Sequence, residues 1–131
     1  MQVSARTQRV YQTIQADDSE GYDVNMIAKD AVGVYVEDVV NDANDFVVLP
    51  PLADVPNGHE IVMVGQAGAN FEVRTPAASA EEINSEDCDG TKEYLFTDTE
   101  IVKFVKIDNT IGWMAHGYSA IGAVVTAVVP D

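Results

Sequence analysis

Alternation with a period of two is the feature that most constrains this chain. Phe71, Val73 and Thr75 alternate with Asn70, Glu72 and Arg74. A strand turns successive side chains to opposite faces, so such alternation buries one face and wets the other. Tyr22, Val24 and Met26 alternate with Asp23 and Asn25, and Val32, Val34 and Val36 share a face opposite Gly33 and Tyr35. Valines cluster at Val39-Val40, Val47-Val48, Val124-Val125 and Val128-Val129. Branching at Cβ costs rotamer freedom in a helix and suits a pleated surface.

Turn signals interrupt these runs at short intervals. They are Asp17 to Gly21, Asn41 to Asp45, Pro50-Pro51, Pro56-Asn57-Gly58, Gly65 to Gly68, Asp89-Gly90 and Asp108-Asn109. The spacing predicts strands near 3–15, 22–28, 31–40, 46–49, 60–65, 69–75, 93–97, 101–107, 111–118 and 120–129. The clearest hairpin joins Ile101–Ile107 to Ile111–Tyr118 through Asp108-Asn109-Thr110. Gly65-Gln66-Ala67-Gly68 reads as a second hairpin turn; it lacks the Lys and Ser/Thr of a phosphate loop. One helical turn is predicted at Ser79–Ile83, with Ser79 as cap and Glu82 at the capping-box position. The expected fold is therefore all-β, a small antiparallel sandwich or barrel. No internal repeat or low-complexity tract is present.

Charge narrows the function. The chain has 131 residues, 7 Lys and Arg against 22 Asp and Glu, and a net charge of −15. Gripping a nucleic-acid backbone requires Lys and Arg that displace counterions, so nucleic acid is not an expected partner. An anionic membrane surface is disfavoured for the same reason, and no apolar run reaches the length of a membrane-spanning helix. The hydrophobic fraction of 47% is too high for a disordered acidic tail. Cys88 is the lone cysteine, which excludes an intrachain disulfide. No secretory leader is expected, because Met1 to Gln15 has no apolar core region. Met1 to Ala16 holds Arg6 and Arg9 and no acid, which sets a weakly basic segment before an acidic body. It reads either as a first strand or as an extended arm that docks on a partner.

Candidate chemistry is thin. Asp87-Cys88-Asp89-Gly90 has the look of a calcium loop, but Phe96 stands where the bidentate Glu is needed. Cys88 with His59 and His116 would make a thiol–imidazole pair only if the fold assembled them. Glu86, Asp87 and Asp89 oppose a thiolate there. No metal spacing is found, so no metal or cofactor is expected. Trp113 and Tyr118 are either packing residues or, if exposed, a sugar-stacking platform. No catalytic residues are assigned.

One stretch resembles a known pattern. It runs from Phe46-Val47-Val48-Leu49-Pro50 through Gly58-His59-Glu60-Ile61-Val62-Met63-Val64 to Phe71-Glu72-Val73-Arg74-Thr75-Pro76-Ala77. Glu82-Ile83-Asn84 and Tyr94-Leu95-Phe96 follow, then Val102-Lys103-Phe104-Val105-Lys106 and Trp113-Met114-Ala115-His116-Gly117. This order resembles modules of bacteriophage virion surface proteins, namely capsid decoration (cement) proteins, head fibres and tail fibres. The Ile-Asn step is commonly followed by Gly in such modules; here Ser85 follows.

The resemblance implies a non-catalytic homotrimer on the capsid surface that decorates or cements the shell. It makes Phe104 and Trp113 subunit-packing residues. The partners expected are further copies of the chain and the major capsid protein, the latter reached by an N-terminal arm over 1–16 through Val3, Arg6, Arg9 and Tyr11. Residues 17–131 then form one all-β domain, with the resemblance over 46–118. The alternative is a receptor- or glycan-binding β-module of a phage head or tail fibre.

Overall fold

The computed structural model describes residues 9–19, 21–38, 44–89, 92, 94–97 and 100–119. The expected strand at 120–129, Val3 and Arg6 lie outside them. The described residues fold into two β-sheets with no α-helix. The strands are Val10–Gln15 (β1), Ala31–Glu37 (β2), Phe46–Val48 (β3), Glu60–Gly65 (β4) and Asn70–Arg74 (β5). Glu82–Ile83 (β6), Glu86–Asp87 (β7), Tyr94–Thr97 (β8), Glu100–Asp108 (β9) and Gly112–Ser119 (β10) complete them.

The large sheet has the order β1-β2-β4-β9-β10-β6-β7, and the small sheet β3-β5-β8. Pairing is not simply antiparallel. β1, β2 and β4 run parallel to one another, as do β3 and β5. The chain visits the sheets in turn: β2 in the large, β3 in the small, β4 in the large, β5 in the small. A parallel Met26–Val48 bridge sets the segment after β1 beside β3 in the same way. Successive circuits therefore stack, Gly33 lying between Tyr11 of one circuit and Val62 of the next. This solenoid-like winding replaces the expected antiparallel sandwich or barrel. The chain first reverses at the short β6–β7 pair, and from β8 onward the new pairings are antiparallel, β8 against β5, β9 against β4 and β10 against β9, while β10 runs parallel to β6.

Local physics explains the departures from the sequence reading. Of the strand expected at 22–28, residues 22–25 form a turn, and the chain is extended only at Met26 and Ile27, where it lies alongside Val48 of β3. Val24 and Asn25 both donate their N–H to the Gly21 carbonyl, and the buried Asn25 amide donates to the Asp17 carbonyl. The turn over Gly65–Gly68 is closed by Ala69 N–H to Gln66 C=O at 2.9 Å. It connects different sheets and is therefore not a hairpin. The helical turn at Ser79–Ile83 is not formed. Ser79 Oγ accepts from Glu81 N–H at 3.2 Å, Ala78 and Ala80 have φ of 55° and 56°, and Glu82–Ile83 is strand. The described helical turn is instead a 3-10 turn at Leu52–Asp54, after Pro50-Pro51.

The β9–β10 hairpin forms as expected. Asp108 Oδ1 accepts from Thr110 N–H (2.8 Å) and Ile111 N–H (2.6 Å). Gly112 follows at φ 80° with a register shift beside it. That is a three-residue loop ending in a left-handed bulge residue. A Cβ on Gly112 would stand 2.6 Å from the Glu82 carbonyl oxygen.

The core lies between the sheets. Phe71 and Phe96 stack at 4.7 Å between ring centroids, and Tyr94 of the small sheet meets Phe104 of the large one edge-on at 5.6 Å. Val34, Val36, Ile61, Met63, Val102 and Trp113 point in from the large sheet and are buried. Lys106 is buried too, its Nζ donating to the carbonyls of Leu52 (2.6 Å) and Val55 (2.7 Å). A buried ammonium needs such acceptors, and these pin the 3-10 turn to β9.

Candidate functional site

The alternation that fills the core also dictates what faces out. On the large sheet the outward positions fall into register across strands. Thr13, Tyr35, Val64 and Ile101 form one row; Tyr11, Gly33, Val62, Lys103 and His116 form the next. Glu60, Val105 and Met114 form a third. Tyr11 is 74% exposed, and Tyr35, Val62, Val64, Ile101 and Met114 are all between 37% and 45% exposed. Single exposed apolar residues are ordinary, but a contiguous set in register is a surface feature with a purpose.

Gly33 shapes this face. The Tyr11 ring lies over it so closely that a Cβ there would stand 2.5 Å from the ring. An open groove of about 840 Å³ runs over β1, β2 and β4, walled by Tyr11, Tyr35, Val62 and Val64, with Arg9 and Glu60 at its margin. Over β1 to β10 the charge on this face balances, while Glu82 and Asp87 add acid at its β6–β7 end. Lys103 Nζ pairs with Glu60 at 2.8 Å, and Arg9, which has no acidic partner among the described residues, sits on the same face as Glu37. In a chain of net charge −15 this is a near-neutral surface.

The residues singled out from the sequence are dispersed. Arg9 and Tyr11 lie at the β1 margin of the outer face. Residues 10–15 are a strand paired along its length with β2, and Ile14 and Ala16 reach the core. Phe104 and Trp113 are fully buried inside their own chain. Both are packing residues of the single chain's core, inaccessible to a second subunit. Trp113 therefore offers no sugar platform, and the Tyr118 side chain lies outside the described part. Cys88 is buried with its thiol donating to the Glu86 carbonyl, while His116 faces outward on β10. His59 Nε2 is 2.9 Å from the Ala31 carbonyl oxygen. The three make no constellation. Asp87 and Asp89 accept backbone N–H groups of Asp89 and Ala80, as turn residues do.

Two clusters were not legible beforehand. Asp17, Asp18 and Asp45 bring carboxylate oxygens within 4.8 Å of one another. Asp45 Oδ1 accepts from Asp18 N–H, and Asp17 Oδ1 from both the hydroxyl and the N–H of Ser19. The Ser19 hydroxyl, then its N–H, hold the Asp17 carboxyl below its ordinary range. These acids tie loops together. On the small sheet, the Arg74 guanidinium lies 4.2 Å from the Phe46 ring centroid and pairs with Glu72 and the Tyr22 hydroxyl. Burial works against its charge, but the bonds to Glu72 and Tyr22 outweigh burial and raise its pKa. This clamp fastens the Tyr22 turn to β3 and β5.

No protein-family model, curated protein or solved structure matches this chain. No helix among the described residues is long and apolar enough to cross a membrane.

Proposed function

We propose that this chain is a structural protein of a bacteriophage particle. In this reading it assembles as a homotrimer, decorates the outer surface of the capsid and stabilises the shell without catalysis. The observation that carries the reading is the neutral, apolar outer face of the large sheet on a strongly acidic chain. Such a face serves contact with protein, because it combines exposed aromatic and aliphatic side chains with balanced charge. The remaining acidity suits a molecule displayed in many copies, since like charge keeps particles apart. The resemblance over 46–118 supports the same reading. Its landmarks serve the fold: Leu49-Pro50 ends a buried strand, Ile83-Asn84 enters a tight turn and Trp113 fills the core. Val3, Arg6, Arg9 and Tyr11 are proposed to meet the major capsid protein.

The test is co-sedimentation of the purified chain with shells assembled from the coat protein encoded in the same genome. The expected result is saturable binding at a fixed ratio and a raised melting temperature of the shell. A chain that stays in the supernatant and leaves the shell's melting unchanged refutes the reading.

A further inference from the structure

We propose that Asn57 is a modification site gated by the fold. It loses its side-chain amide, becoming an aspartyl or isoaspartyl residue, only when the turn over residues 56–59 opens. Asn57-Gly58 is the one Asn-Gly step in the chain. The chemistry needs no partner and is independent of the particle reading.

The reaction is intramolecular. The Gly58 backbone nitrogen attacks Asn57 Cγ and a new N–Cγ bond forms. The Cγ–Nδ2 bond breaks, and the proton lost from the Gly58 nitrogen leaves with Nδ2 as ammonia. Water then opens the five-membered imide at either carbonyl. Opening at Cγ restores the ordinary backbone with an aspartyl side chain. Opening at the backbone carbonyl gives the isoaspartyl linkage, which carries one extra methylene in the main chain. Glycine after the asparagine favours ring closure, because it bends freely and no side chain shields its nitrogen.

Access does not protect this site. Asn57 is exposed, and its side chain enters no described hydrogen bond. A Cβ on Gly58 would meet nothing within 4 Å. Backbone geometry protects it instead. His59 N–H donates to the Pro56 carbonyl at 3.1 Å, and Gly58 has φ of 86°. This is a type II turn with Gly58 as its third residue, which sets ψ of the second residue at about +120°. That angle swings the Gly58 nitrogen away from the Asn57 side chain, whereas ring closure needs the two nearly eclipsed. The Gly58 N–H is also engaged, donating to the Lys106 carbonyl at 2.7 Å.

Lys106 is the clasp. Its backbone accepts from Gly58 and donates to the His59 carbonyl at 2.9 Å. Its buried ammonium holds the Leu52 and Val55 carbonyls on the other side of Asn57. One residue thus fixes the loop both before and after the reactive step. An isoaspartyl linkage lengthens the main chain between the Val55 and Gly58 anchors, so the modified loop no longer matches the clasp.

The experiment follows the peptide containing position 57 by mass spectrometry. The full chain is incubated in mildly alkaline buffer with and without guanidinium chloride, and NMR measures hydrogen exchange at Gly58 N–H in the folded chain. Opening breaks the bonds of Gly58 N–H and His59 N–H, each contributing about a fivefold factor to the closed state. Modification that proceeds only from the open turn follows its population. The folded chain is therefore expected to be modified about 25-fold more slowly than the unfolded one, with Gly58 N–H protected to a similar degree. Lys106→Met, checked for its fold by circular dichroism, should be modified faster than the native chain when folded and at the same rate when unfolded. Unfolded Asn57→Gln should leave the peptide unchanged. A folded rate within about fivefold of the unfolded rate overturns the proposal. So does a Gly58 N–H that exchanges as in the unfolded chain, a folded Lys106→Met no faster than the native chain, or an Asn57→Gln peptide that gains the same mass. If Lys106→Met does not fold, the two measurements on the native chain decide.

Discussion

Ser85→Gly should stabilise this protein, while Asn84→Gly one residue away should destabilise it. Asn84 and Ser85 close the β6–β7 hairpin with φ of 52° and 70°, the pair of left-handed conformations that defines a type I′ turn. Left-handed backbone costs an ordinary L-residue about 1–2 kcal/mol. Glycine removes that strain but adds about 0.5–1 kcal/mol of unfolded-chain entropy to be lost. Ser85 is exposed and no described hydrogen bond depends on its hydroxyl, so the net gain is about 0.5–1 kcal/mol. Asn84 has the same backbone but a different side chain. Its Oδ1 accepts from Ala115 N–H at 2.8 Å and its Nδ2 donates to the Ala115 carbonyl at 3.3 Å. The amide thus continues the β6–β10 pairing where only Ile83 and Trp113 are in register. Losing it leaves Ala115 groups on a buried residue unpaired, a cost of about 1–3 kcal/mol. Asn also tolerates the left-handed region better than Ser, so less strain is relieved. Urea unfolding followed by tryptophan fluorescence reads both, since Trp113 sits in the core beside this turn. With a slope of about 1.5 kcal/mol per molar urea, Ser85→Gly moves the midpoint up by about 0.3–0.7 M and Asn84→Gly moves it down. Equal shifts of one sign, at unchanged slope, would refute the turn geometry and the side-chain role together.

Further outcomes follow from the same structure. Gly112→Ala should cost about 2 kcal/mol or more, combining left-handed strain with a Cβ 2.6 Å from the Glu82 carbonyl oxygen; thermal unfolding measures it. Lys106→Met should cost about 1–3 kcal/mol by leaving the Val55 carbonyl without its ammonium donor. Relief of the buried charge works against this, so a stabilised variant would show desolvation to be the larger effect. Burial, and secondarily the charge of Asp54, raise the pKa of Glu81, against the Leu52 N–H and Lys106 that lower it. A carboxyl whose pKa is raised on folding binds its proton more tightly in the native state, so its contribution is lost as pH rises through the range just above 4.5. Glu81→Gln should remove that loss, and the difference between the two stability–pH curves should be confined to that window.

Much of the fold was legible because it is local. Strands β2, β4, β9 and β10 lie where alternation put them, since burial of every second residue leaves its mark along one strand; β5 lies where expected too, but its second face is not wet, because Glu72 is buried in its pair with Arg74. The Asp108–Gly112 turn was legible because Asp and Gly each do one definite thing there. The expected strand at 22–28 failed because hydrogen bonds to Gly21 and Asp17 outweighed a pattern of only three apolar residues. The helical turn at 79–83 failed because capping residues signal a helix start, but no amphipathic run followed to sustain one.

What the sequence by itself determined is the all-β class, the inward face of the alternating strands of the large sheet, and the strong net acidity. Alternation specifies a face and says nothing about the neighbouring strand. Parallel stacking of β1, β2 and β4, the passage from sheet to sheet at Gly65–Gly68, and the burial of Lys106 under the 3-10 turn were therefore decided by tertiary structure. So was the outer face: Tyr11, Gly33, Val62 and Met114 come from four strands far apart in the chain. They become one surface only because the register of those strands aligns their outward positions.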